Sequence, residues 1–172
     1  MISSSAILST SNQVDIRNKK HILILGVGNT LQGDDGIGCR AIELLSQQNL
    51  PENVHIQNAN LPGLELAIIL KDWSRVIIID AIRMGLPSGT WRKFKLDDIS
   101  LVTSETALSL HQTDLASGIL LANALGILPQ EIIFYGIEPQ RIEWGQGLSS
   151  GVEAALPPLL EEILADIRNM QE

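Results

Sequence analysis

The run from His21 to Asn29, HILILGVGN, limits what this chain can fold into more than any other stretch. It is apolar without alternation, carries β-branched residues and closes on glycines, which is the pattern of a strand covered on both faces. A strand of that kind needs a layer of helices above it and another below. The downstream segments meet that need. A polar turn over residues 29–35 leads into GIGCRAIELLSQQN, where Ile37, Ala41, Leu44 and Leu45 recur at helical spacing, and Asp34 is placed to cap the amino end. Residues 54–56 read as a second strand, 61–71 as a helix introduced by Pro62 and Gly63, and 75–80 (RVIIID) as a third strand. Residues 90–96 alternate apolar and charged and read as an edge strand with one wet face. A helix over TDLASGILLANALG, stopped by Gly126, precedes the strand EIIFYGI at 131–137. A last helix carries Val152, Leu156, Leu159, Leu160, Ile163, Leu164 and Ile167 on one stripe, with Pro157 and Pro158 expected to bend or restart it. The expected fold is α/β: a three-layer sandwich around a mostly parallel twisted sheet of about five strands, helices on both faces, and one antiparallel edge strand.

At 172 residues the chain has the length of one domain. Residues 1–20 are polar and read as a flexible extension, with residues 21–172 as a single unit. That amino-terminal segment lacks the apolar core of a signal peptide, and no apolar run reaches the roughly 18–20 residues that cross a bilayer. Twelve basic against twenty acidic residues give a net charge of -8. Phosphate backbones and anionic lipid heads would repel such a chain, so nucleic acid and membranes are poor partners. The lone cysteine, Cys39, can form no internal disulfide, and a reducing cytoplasm is the expected compartment.

In open parallel sheets the working groups collect at the carboxyl ends of the strands. Three places stand out: Gly33-Asp34-Asp35-Gly36 after the first strand, Asp80 at the end of the third, and His111 in SLHQTD before a helix. Asp35, Asp80 and His111 are expected to meet there. Two carboxylates and an imidazole suit a borderline divalent metal such as zinc, nickel, iron or manganese, with coordination positions left open. Each residue also has an ordinary structural reading. An aspartate at a helix start is often a cap, an acid ending an apolar strand needs a partner, and a loop histidine can simply be hydrogen-bonded. His21, His55 and Cys39 read as structural. The Gly26-Val27-Gly28 turn is not a dinucleotide fingerprint, because Leu31 stands where the third glycine belongs and two aspartates sit where a pyrophosphate needs positive potential. No organic cofactor is expected.

Taken together, GVGNTLQGDDGIG, IIIDAIRMG and SLHQTDL, with the later Gly136-Ile137-Glu138-Pro139 turn and Gly147-Leu148-Ser149, resemble the nickel–iron hydrogenase maturation endopeptidases. The resemblance runs from about residue 22 to residue 167. It implies metal contacts from Asp35, Asp80 and His111, with Asp34 an additional catalytic candidate. It also implies removal of a carboxy-terminal peptide from the nickel-loaded precursor of a hydrogenase large subunit, the nickel arriving with the substrate. A non-cleaving metal or large-subunit chaperone and a small-molecule metal-dependent hydrolase are the alternatives, and a monomer is the expected state. One departure stands out: many relatives carry an acid and glycines after the second strand, where this chain has Gln57-Asn58-Ala59-Asn60-Leu61.

Overall fold

The computed structural model describes residues 21–60, 62–98, 113–145 and 147–171; the extension read over residues 1–20 lies outside them. Among the described residues, strands β1 (Ile22–Val27), β2 (Val54–Asn60), β3 (Arg75–Ala81), β4 (Trp91–Lys95) and β5 (Glu131–Ile137) form one sheet in the order β2-β1-β3-β5-β4. The first four in that order run parallel, and β4 pairs antiparallel with β5. The chain leaves β1 toward β2 on one side and returns to β3 on the other. The connections from β1 and β3 therefore leave to opposite sides, which makes their carboxyl ends a topological switch point, the usual place for a site in such sheets.

Side-chain alternation along the inner strands fills two separate cores. Ile22, Ile24, Ile77, Ile79, Ile133 and Tyr135 pack against α1 (Ile37–Leu45) and α4 (Ser150–Asn169). Leu23, Leu25, Val27, Val76, Ile78 and Phe134 point the other way, toward α2 (Leu66–Leu70) and α3 (Thr113–Ala124). Unalternating hydrophobicity in β1, β3 and β5 is a direct consequence of these two layers. The expected three-layer α/β architecture with its antiparallel edge strand is the one observed. Among the described residues no helix is long and apolar enough to cross a membrane.

Three local expectations are corrected. Strand β2 runs to Asn60 and does not stop at Ile56, because the open edge of β1 supplies ladder partners for Gln57, Asn58 and Asn60 despite their weak strand preference. The segment read as a helix from residue 61 opens with a 3-10 turn, Gly63–Glu65, and α2 spans only Leu66–Leu70. Helix α4 continues through Pro157 and Pro158 without restarting. Those two rings deprive the carbonyls of Glu153 and Ala154 of donors. Both residues lie on the exposed side of the helix, where water replaces the lost bonds, while Val152, Ala155, Leu156, Leu159 and Ile163 remain buried.

One polar group is built into the face that α4 covers. Tyr135 donates its hydroxyl to Asp166 Oδ2 at 2.7 Å, and Lys93 Nζ meets Asp166 Oδ1 at 2.5 Å. Burial first, then the hydrogen bond and charge of Asp166, push the phenol far above its usual range. The network pins α4 to β4 and β5.

Candidate functional site

Four acids are buried at the carboxyl ends of the three central strands: Asp34 and Asp35 after β1, Asp80 within β3, and Glu138 after β5. Their surroundings divide them into two kinds.

Asp34 and Glu138 are saturated by backbone donors. Asp34 is fully buried within the 3-10 turn Gly33–Gly36. The amides of Gln140 and Arg141 donate to its Oδ2 at 2.8 and 2.9 Å, Ser149 Oγ donates to Oδ2 at 2.9 Å, and the Ser149 amide donates to Oδ1 at 2.6 Å. Burial alone would raise its pKa, but these four bonds together hold the carboxyl below its ordinary range. The expected role as cap of α1 is corrected. The N-cap of α1 is Gly36, with no side-chain cap, and the Asp34 carboxylate turns away to grip a distant loop and the residue preceding α4. With all four donors engaged, its lone pairs are committed to structure. Glu138 Oε2 accepts from the amides of Met84 and Leu86 at 2.5 and 3.1 Å, tying down the loop that leaves β3. Sequence reading assigned Glu138 no role; an acid closing an apolar strand, as Asp80 also does, was the available signal.

Asp35 and Asp80 are coupled through charge, the Asp35 carboxylate acting on Asp80. Asn29 donates its amide to Asp35 Oδ2 at 2.7 Å. Gly28, at φ 122°, makes this approach feasible: a Cβ there would fall 1.8 Å from the Asp35 carbonyl oxygen. Gly38 performs a similar service below, since a Cβ would lie 2.3 Å from the carbonyls of both Val27 and Ile79. Only a glycine lets α1 settle onto β1 and β3 at this depth. Asp80 is 4% exposed, stands opposite Gly136 of β5, and its Oδ1 accepts no hydrogen bond from any described residue. Burial, and next the neighbouring charge of Asp35, push its pKa up to about 7, against a smaller opposing pull from the Ala81 amide. A buried carboxylate oxygen without a donor is costly, and a cation is the partner that would relieve it.

Beneath the pair lies Cys39, whose thiol approaches the Gly28 carbonyl at 3.5 Å and Asn60 Oδ1 at 4.0 Å. Burial first, then the charges of Glu43, Asp35 and Asp80, raise its pKa, so it stays a protonated packed residue. His111 lies outside the described residues. Among those that are described, no three His, Cys, Asp or Glu side chains cluster as a metal-binding group; Asp35 and Asp80 both lie at the carboxyl end of the sheet. His21 and His55, read as structural, pack around Trp73 at the opposite end of the sheet, with ring centroids 6.4 and 5.1 Å from the indole.

This fold and sequence recur in proteins of known type. The family model for hydrogenase maturation proteases matches residues 39–166. The hydrogenase expression/formation protein HupD of Rhizobium leguminosarum bv. viciae is 33% identical over 150 residues, covering 86% of this chain and 74% of its own. Among solved structures, the hydrogenase maturating endopeptidase HybD from E. coli superposes with a TM-score of 0.77 at 33% identity, over 87% of this chain and 93% of that one. The NiFe hydrogenase maturation protease HybD from Thermococcus kodakarensis gives a TM-score of 0.69 at 28% identity, over 84% and 97%. Sequence and fold agree over most of the chain, and the chain belongs to the hydrogenase maturation protease family.

Proposed function

We propose that this protease, acting as a monomer, removes a carboxy-terminal peptide from the nickel-loaded precursor of a hydrogenase large subunit. The observation that carries the reading is the Asp35 and Asp80 pair at the divergence of β1 and β3, with Asp80 Oδ1 buried and without a donor among the described residues. An acid pair of this kind suits a divalent cation that arrives with further ligands from another molecule. Asp35, Asp80 and His111 are the residues assigned to hold it. Nickel bound to the substrate would bring positive charge that keeps both carboxylates ionised and fixes the precursor at that end of the sheet.

Within the chain, the two acids are held by different elements. The Asn29 amide orients Asp35. Asp80 is held on the central strand β3 and, like Asp35, is buried. Once both are engaged, the peptide bond to be cut is held near Asp35, on the turn after β1, and Asp35 takes a proton from attacking water. Asp34 does not share that duty, because its oxygens are fully occupied.

Incubating the protein with a nickel-loaded precursor, with a nickel-free precursor as comparison, tests this directly. Mass spectrometry should find a shortened subunit and a free peptide in the first mixture alone. Binding of the loaded precursor with its mass unchanged would support a chaperone in place of a protease, and equal cleavage of both precursors would remove nickel from the recognition.

A further inference from the structure

The residues clamped by Asp34 include an exposed apolar wall that the acid pair does not use. Its backbone is fastened to the acid-bearing turn at several points. Besides the four bonds to the Asp34 carboxylate, Gly33 donates its amide to the Gly145 carbonyl at 2.8 Å and Gly145 donates to Leu31 at 3.0 Å. Asp34 itself donates to Arg141 at 3.1 Å. Gln32 and Gly145 pair as a short parallel bridge. On this doubly anchored seam Trp144 is 76% exposed and Leu31 46% exposed. Exposed tryptophan on backbone this firmly held is unlike the ordinary scatter of apolar surface residues, and indole is a favoured anchor in protein recognition. Beside the same turn lies a groove of about 260 Å³ whose lining includes Gly33, Gly36 and Gly147 together with the charged side chains of Arg40, Glu43 and Glu153. The three glycines let another backbone come close, and the three charged side chains make the rest of the lining polar.

The geometry points to this seam as the docking wall for the protein substrate: an extended segment next to the scissile bond lies along the glycine-lined groove and sets an apolar side chain against Trp144 and Leu31. This rests on the peptidase reading above. The occupant is polypeptide because the wall is bonded directly to the turn that carries Asp35, where on the peptidase reading a peptide bond must lie, and the glycines of the groove leave room for a second backbone. Asp34 is the positioning residue. It touches no substrate, but it keeps the wall and Asp35 in fixed register.

Two measurements test the wall. In a Trp73→Phe/Trp91→Phe variant, Trp144 is the sole emitter, and adding nickel-loaded large-subunit precursor should shift its emission to the blue and shield it from iodide quenching. In the cleavage assay, Trp144→Ala should raise KM for the precursor at least tenfold, with most of the change absent from kcat, and Trp144→Phe should recover most of the loss. Unchanged emission on precursor binding, or an unaltered KM in Trp144→Ala, would overturn the proposal. A wild-type protein that binds but does not cut would sink the peptidase reading instead, and the emission change would still decide whether the wall docks the precursor.

Discussion

Asp34 and Asp80 are both buried carboxylates at strand ends, yet their surroundings are opposite. Asp34 accepts four hydrogen bonds reaching across more than a hundred residues of sequence, and its pKa is held down. Asp80 has an oxygen with no donor among the described residues, and its pKa is pushed up to about 7. The first is what a carboxylate looks like when the fold has used it; the second is what one looks like when the fold has left it for something else. Burial by itself therefore does not mark a working acid. The count of satisfied lone pairs does.

That contrast can be broken experimentally. The largest effect is expected from Asp80 and Asp35: Asp80→Asn and Asp35→Asn should each lower precursor processing at least about a hundredfold with the fold retained, read as the missing mobility shift of the large subunit on a gel. Normal processing in both would erase the distinction. Asp34→Ala should instead act on the fold, because it strands three amides and a hydroxyl. A loss of about 3 kcal/mol is expected, measured as a lower urea midpoint with unchanged slope.

The two acids should also respond to pH with opposite signs. Asp80 has a folded pKa above its unfolded value, so between about 4 and 7 the native state binds the extra proton and stability falls as pH rises through that window. Asp34 has a folded pKa below its unfolded value, so its contribution is present above about 4 and is lost on acidification through the lower folded pKa. Melting scans of metal-free protein should show a decline from pH 5 to pH 8 that flattens in Asp80→Asn. The smallest effect serves as a control: Arg40→Ala removes an exposed pair with Glu43 at 2.9 Å and should cost under about 0.5 kcal/mol.

Much of the architecture was readable because hydrophobic runs in β1, β3 and β5 report burial on two faces. The positions of Asp35 and Asp80 were readable because loops at strand ends are where parallel sheets gather their chemistry. What could not be read were partners far apart in sequence. Nothing local in Gly33-Asp34-Asp35-Gly36 says that Asp34 holds Gln140 and Ser149, so a helix cap was the natural reading and the wrong one. Likewise, Gln57 to Asn60 look unlike a strand until β1 offers them an edge. Pro157 and Pro158 look like a break until the helix phase puts them toward water. The groove lined by Gly33, Gly36 and Gly147 depends on two loops meeting, and single-sequence periodicity is silent about that.

Calorimetric titration of nickel into the wild type, Asp80→Asn and His111→Ala examines the central claim, that Asp80, whose Oδ1 has no donor among the described residues, joins Asp35 and an imidazole around one cation. The wild type should bind one nickel per chain with an affinity that weakens as pH falls through about 6.5, and each variant should lose most of that heat. Three superimposable isotherms from three folded proteins would contradict the account.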